Sequence, residues 1–438
     1  MTVVPRSARL FLVLAAAAAL AFAPARAQDS VVVQLRTTYE TQAAPGFVVL
    51  PFGGAGGEAV RTIVQRDLQF SDRFQVREAT GARAGEPVNL DLWSERGADW
   101  VLAGSVAPRA GGSSLTLTLY DAVYGQKKGE GTFPVPSPDA RGFRMAAHAA
   151  ADQVVRWATG EPGMAASRIA FVTQGRGSKE IYAVDSDGEN LSRITSDGSI
   201  ALSPAWSPDG GRIAYTSFRA DAPLLYERDL STGADRLLSD RAGINITPSY
   251  APDGRTVAFA TTVAGNTEIA TIGGAGGLQQ HTRGRGYDNL SPTWSPDGRR
   301  FAFVSDRLGE PQIYVMTLGG EPRLVSDYTY GRRAYSTSPD WSPVGPVIAY
   351  HTRVNGVMQI VAVSADGGRP RVLTDRSTNE DPSWAPDGRH LVFASPDREG
   401  GGLFVLDTVT GNIRKLVGGR GFGLPDWSGT LLRLGAGR

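Results

Sequence analysis

Beyond residue 167, apolar and polar positions alternate in short blocks. A four-residue segment returns six times: RIAF at Arg168, RIAY at Arg212, TVAF at Thr256, RFAF at Arg300, VIAY at Val347 and HLVF at His390. Short apolar runs bounded by turn residues predict buried strands. Other strand signals surround each run, as in PAWS, RIAYTS, LLYERD and DRLLS, separated by Asp-Gly, a polar loop and Ser-Thr-Gly. Four short strands per unit make one propeller blade. The aromatics Trp206, Tyr250, Trp294, Trp341, Trp384 and Trp427 stand 44, 44, 47, 43 and 43 residues apart, a propeller period.

The chemistry of the repeat fits that geometry. Pro204, Pro248, Pro292, Pro339, Pro382 and Pro425 lack an N–H, so they belong on a strand edge or at a strand start, and the innermost strand of a blade offers both. Asp209-Gly210, Asp253-Gly254, Asp297-Gly298 and Asp387-Gly388 suit tight hairpins. They are turns and not a catalytic carboxylate series. The large aromatics supply area to wedge one blade against the next. RIAF at Arg168 has no Pro-x-Trp before it, and LPDWS near the C-terminus has no complete blade after it. The strand at Pro425 to Ser428 therefore closes the ring by completing the first blade, giving six.

A different texture precedes the ring. FVVLPF (47–52) reads as a strand, and EAVRTIVQRDLQFS places Val60, Ile63, Val64 and Leu68 on one helical face. FQVREA, WVLAGSVAP and SSLTLTLYDAVYG read as further strands, and GFRMAAHAAADQVVRWAT as a helix. The fold class is an α/β N-terminal domain followed by an all-β six-bladed β-propeller. TGEPGMAA (159–166) is the linker between them. Residues 1–27 carry arginines, an apolar run from Leu10 to Phe22 and small residues ending Ala25-Arg26-Ala27, the pattern of a cleaved secretory signal. The expected organisation is 1–27 signal, 28–160 α/β domain and 167–438 propeller. Gln28, and not a cysteine, follows the cut, which argues against a lipid anchor there.

The chain has no cysteine, so disulfides and thiolate chemistry are excluded. The formal charge of +1 becomes −2 once Arg6, Arg9 and Arg26 leave with the signal, since no acid lies among those 27 residues. Such a chain has no whole-molecule attraction for nucleic acid or anionic membrane.

Catalytic motifs are weak. GGAGGE at Gly53 lacks both the Gly-Lys-Ser/Thr ending and the G-x-G-x-x-G spacing of phosphate loops, and reads as a turn. DSDGEN at Asp185 has its glycine too early for a calcium loop and Ser196 at position twelve, and reads as a hairpin turn. His148, His281, His351 and His390 are far apart in sequence with no H-E-x-x-H pairing, so neither a metal nor a cofactor is expected. No G-x-S-x-G elbow is present.

A signal, a small α/β domain opening on VVLPF, repeated PxWSPDGxxIAF units and a terminal PDWS strand together resemble the TolB family of the Tol-Pal system. Two departures are local: SPVGPV stands in place of SPDGR at Val344, and the 47-residue unit carries three extra residues near YTYGRRAYSTS. The resemblance implies a periplasmic, monomeric, non-enzymatic adaptor without direct membrane insertion. It implies binding of the lipoprotein Pal through the propeller and of TolA through the mature N-terminus, in support of outer-membrane integrity and envelope constriction. Loops joining the fourth strand of one blade to the first of the next all open on one side. They contain Asn245, Thr247, Asn289, Ser291, Arg332, Arg333, Tyr335 and Asn379, the expected Pal-type contacts. Arg332, Arg333 and Tyr335 are of types enriched among interface anchors. The TolA-type segment is Gln28, Asp29, Ser30, Val31, Val32 and Val33, whose valines favour strand addition to a partner's sheet edge. Two alternatives stay open on the residues alone: a secreted propeller binding glycan or a small ligand, and the accessory propeller of a peptidase-like enzyme.

Overall fold

The computed structural model describes residues 44–175, 177–274, 276–328 and 335–432. The signal segment, Gln28–Val33, Arg332 and Arg333 lie outside them. The N-terminal layer runs β1 (Gly46–Val49), α1 (Gly57–Phe70), β2 (Gln75–Arg77), α2 (Leu90–Glu95), β3 (Trp100–Arg109), β4 (Gly112–Asp121), β5 (Gln126–Val135) and α3 (Phe143–Thr159). Its sheet has the order β2-β1-β3-β4-β5, with β1 parallel to β2 and β3 and the remaining pairs antiparallel.

Alternation along β1 decides which helix covers which face. Phe47 and Val49 enter a core with Val60, Ile63, Val64 and Leu68 of α1 and Ala147, Ala150 and Val154 of α3. Val48 and Leu50 face the other way, against Trp93 of α2. GGAGGE forms the tight turn into α1. Gly54 there has φ +88, and a Cβ on it would lie 1.8 Å from the Val106 carbonyl, so only glycine fits.

From Arg168 the chain builds six four-stranded antiparallel blades. Blade 1 holds β6 (Arg168–Gln174), β7 (Lys179–Asp185) and β8 (Ser192–Arg193), and its innermost strand is the C-terminal Gly423–Trp427, paired with β6. The innermost strands of blades 2 to 6 are Ala201–Trp206, Asn245–Tyr250, Asn289–Trp294, Ser336–Trp341 and Glu380–Trp384. The ring closes as the complementary half-blades require.

Each repeat aromatic is buried in the seam between its own blade and the preceding one: Trp206 beside Ala170, Val172 and Ile181 of blade 1, Trp341 beside Ile313 and Val315 of blade 4, Trp427 beside Val392 and Val405 of blade 6. A second belt is polar. The residue before the aromatic accepts from the aromatic's backbone N–H in the next blade: Asp426 from Trp206 (2.7 Å), Thr293 from Trp341 (3.2 Å), Asp340 from Trp384 (2.7 Å) and Ser383 from Trp427 (3.0 Å). SPVG still turns without its aspartate, through Ser342 N–H to Val347 O at 2.8 Å.

The segment after α3 is not a loose tether. Met164, Ala165 and Ala166 are buried, and Asp152 of α3 accepts from Ala165 N–H (2.8 Å) and Ala166 N–H (2.9 Å). Burial pushes Asp152 up to about 7, against these two bonds, which favour its charged form.

Candidate partner-binding face

Each innermost strand bulges immediately before its proline. Ser203, Thr247, Ser291, Ser338, Asp381 and Leu424 all have φ between 49 and 52, and each precedes one of the six repeat prolines. Left-handed backbone at a non-glycine residue costs about 1–3 kcal/mol and persists only where the surroundings impose it. The bulge places the N–H-free proline against the central channel, where nothing need accept from it. The six residues and their prolines line a channel of about 510 Å³. Around this throat Thr247 Oγ1 accepts from Ser291 N–H (3.2 Å), and Ser338 Oγ donates to Asp381 Oδ1 (2.7 Å).

The expected contact residues divide into three groups. Thr247 and Ser291 sit half-buried in the throat. Tyr335 is exposed. Asn245, Asn289 and Asn379 are wholly buried and turned inward, a correction to their reading as loop-surface groups. Asn245 accepts from Ser239 Oγ (2.9 Å) and Thr261 Oγ1 (3.1 Å) and donates to the carbonyls of Pro223 (3.2 Å) and Arg241 (2.8 Å). Asn289 donates to Glu268 Oε2 (3.0 Å) and accepts from Arg307 (3.1 Å). Asn379 donates to Gln359 Oε1 (3.0 Å) and to the Arg376 and Ser377 carbonyls (2.8 and 3.1 Å). They are internal braces that fix the shape of the loops between blades. The buried Glu268 side chain completes one such brace, accepting from Thr282 Oγ1 at 2.6 Å and from Gly284 N–H. Ser203, Ser338, Asp381 and Leu424 belong to the throat but not to the expected set. Their shared place before a repeat proline was the available sign.

Two carboxylates of the polar belt face the channel and keep partial access to it. Burial pushes Asp340 up to about 6 and Asp426 up to about 8, in spite of the N–H bonds they accept. Ser338, Asp381 and His351 also meet, but not as a nucleophile with its base. His351 Nδ1 accepts from the Asp381 backbone N–H (3.0 Å), and burial lowers its proton affinity. The serine hydroxyl is spent on the carboxylate.

On the opposite side, the α/β layer meets blades 1 and 6 through ion pairs. His148 of α3 is buried, with Nδ1 2.7 Å from Asp67 Oδ2 of α1, and Nε2 3.8 and 3.9 Å from Asp185 and Asp187 of blade 1. Arg144 reaches Asp185 (3.0 Å) and Asp187 (2.5 Å), Arg66 pairs with Asp187 and reaches Glu189 (3.4 Å), and Arg168 lies 3.1 Å from Asp185. A mirror arrangement starts from the propeller. His390 of blade 6 is buried, with Nδ1 2.7 Å from Asp387 and Nε2 3.5 Å from Asp72 at the end of α1. Arg389 clamps Asp407 (2.6 Å), and Arg414 lies over the Phe70 ring at 4.1 Å. Asp67, His148 and Asp187, and likewise Asp72, His390 and Asp407, bring ligand atoms within 4.8 Å of one another. Asp187 and Asp407 already carry guanidinium groups, so an added divalent cation at either cluster would meet arginines beside one of its ligands. These are ion-pair clusters. The dispersed histidine positions in the sequence concealed them, because the partners come from distant segments.

Among the described residues no helix is long and apolar enough to cross a membrane. The fold defines a β-propeller protein carrying an N-terminal α/β layer, with braced interblade loops at one end of the blades and the α/β layer at the other. The profile of the TolB beta propeller domain matches residues 155–431, and that of the TolB amino-terminal domain matches residues 33–128. The chain belongs to the TolB family. It is 36% identical over 202 residues to "Tol-Pal system protein TolB" of Polaromonas naphthalenivorans, covering 45% of this chain and 46% of that protein. To the protein of the same name from Methylococcus capsulatus it is 32% identical over 223 residues, covering 49% and 52%. The chain thus spans about half the length of the curated relatives it matches. The crystal structure of TolB from Acinetobacter baumannii superposes with a TM-score of 0.77 at 29% identity, over 88% of this chain and 97% of that one.

Proposed function

We propose that the chain is a periplasmic, non-enzymatic adaptor of the Tol-Pal system. A Pal-like lipoprotein docks on the loop face around the throat, a TolA-like inner-membrane protein takes Gln28–Val33, and the pair of contacts supports outer-membrane integrity and envelope constriction. The observation that carries this reading is the braced loop face: three buried asparagines hold the interblade loops around a ring of six left-handed residues. Loops ordered before binding lose little entropy on docking, which favours recognition of a protein surface. Family membership supports the identity of the partners.

Substituting Arg332, Arg333 and Tyr335 together by alanine tests the face. Affinity for a Pal-like lipoprotein, measured by calorimetry, should fall at least about tenfold while the thermal midpoint moves by no more than a degree or so. Unchanged affinity would remove this loop from the interface. A chain beginning at Thr37 tests the other contact. It should lose TolA binding while keeping Pal binding and stability, and retained TolA binding would sink that half of the reading.

A further inference from the structure

We propose that His148 and His390 are proton-dependent clasps locking the α/β layer onto the propeller, and that removing their protons frees the layer while both parts stay folded. The geometry is reciprocal. His148 leaves the α/β layer to face carboxylates of blade 1, and His390 leaves blade 6 to face a carboxylate of the α/β layer. Both rings are fully buried, and each is oriented by an aspartate on Nδ1 at 2.7 Å. With Nδ1 so held, a second proton on Nε2 points across the joint. Without it, Nε2 presents a lone pair to the carboxylates.

Charged groups from both parts surround each ring. Around His148 stand five carboxylates, Asp67, Asp152, Asp185, Asp187 and Glu189, with the guanidiniums Arg66, Arg144 and Arg168 and, farther off, Arg414. Around His390 stand Asp72, Asp387 and Asp407, with Glu161 acting on Arg73, against Arg73, Arg389 and Arg414. The carboxylates nearest each ring, Asp67, Asp185 and Asp187 for His148 and Asp387 and Asp72 for His390, favour its protonated form, while Glu189 and Glu161 lie toward solvent. Burial alone would strip the proton from either ring. The carboxylates oppose this and win, Asp67 and Asp185 holding His148 up at about 10, and Asp387 and Asp72 raising His390. A proton held more tightly in the joined state than in the open one stabilises the joint fully below the ordinary histidine range. That contribution is lost as pH rises from there toward about 10.

The absence of cysteine makes the test direct. Spin labels on Val123→Cys at the β4–β5 tip and Val372→Cys in blade 5, both exposed, report the distance between the two parts. At pH 6.5 the distribution should be single and narrow. At pH 10 a broad, separated population should grow at least tenfold, with circular dichroism unchanged. In His148→Gln/His390→Gln the broad population should be present at pH 6.5 and insensitive to pH. A narrow distribution in the unsubstituted clasps at pH 10, a pH response retained in the double variant, or a double variant narrow throughout each overturns the proposal. Should the double variant fail to fold, the His148 ring resonances of the full chain decide: titration above pH 8 supports the clasp, and titration at or below pH 8 removes it.

Discussion

Asn245 carries four hydrogen bonds to groups from three separate segments, so its value is to structure and not to contact. Asn245→Ala should cost about 2–3 kcal/mol in denaturant unfolding, because buried hydroxyl and carbonyl groups lose their partner. Ser291→Ala, in the half-buried throat, should cost under about 0.5 kcal/mol. Equal losses at both positions would contradict this division. In the sequence the two look alike, as small polar residues beside a proline-marked strand. What separates them is the burial produced by Ser239, Thr261 and Pro223 arriving from elsewhere, which no local pattern encodes. Asp426 differs again, since burial raises its proton affinity to about 8 and stability therefore falls as pH climbs from the ordinary carboxylate range through that value. Asp426→Asn keeps an acceptor for Trp206 N–H and removes the titration. Relative to the parent it should gain stability between pH 5 and pH 9, by at most about 4 kcal/mol, read from thermal midpoints. A constant difference across that range would argue against an ionisable Asp426.

Strands and helices were legible where their apolar period was strong. The six second strands, α1 and α3 follow it directly, and the closing strand followed from the mismatch between the two chain ends. β5 escaped because QKKGEGTFPV is an edge strand, with lysines, two glycines and a proline where edges tolerate them. Its glycines have a packing reason: a Cβ on Gly129 would lie 2.5 Å from the Trp157 ring of α3. Sequence periodicity cannot show a helix pressed that close. The closing strand makes a sharper claim on the ring. Gly423–Trp427 pairs with β6, and Trp427 fills the seam to blade 6 while its indole N–H donates to Ser167 at 2.7 Å. Ending the chain at Gly421 should leave the inner edge of β6 unpaired and the seam open, so the product should aggregate or pair with a second copy in size-exclusion chromatography. A monomer with an unchanged melting midpoint would show that closure is dispensable.

The two parts of the molecule are joined by different physics from that which holds either together. The propeller relies on six apolar seams, and the α/β layer on a core shared by α1, α3 and the sheet. The joint instead gathers aspartates, arginines and two histidines around Phe70 and Met164. Salt screens charge pairs that water reaches and does not weaken apolar burial; Arg66 and Arg144 each keep 28% of their side-chain surface exposed although their aspartate partners are buried, so salt reaches the arginine side of these pairs. Acid acts elsewhere, inside blade 6. The arginine clamp holds Asp407 down at about 2 against the burial that would raise it, so its contribution is lost as pH falls through that value. At neutral pH and about 0.05 M salt, calorimetry should therefore show one cooperative transition, the layer and the propeller melting together. Raising salt to about 1 M, where the screening length is roughly 3 Å, should split off an earlier transition for the α/β layer and leave the propeller transition in place or slightly higher. A single transition that moves as a whole at every salt concentration would mean that the apolar contacts at Phe70 and Met164, and not the ion pairs, dominate the joint.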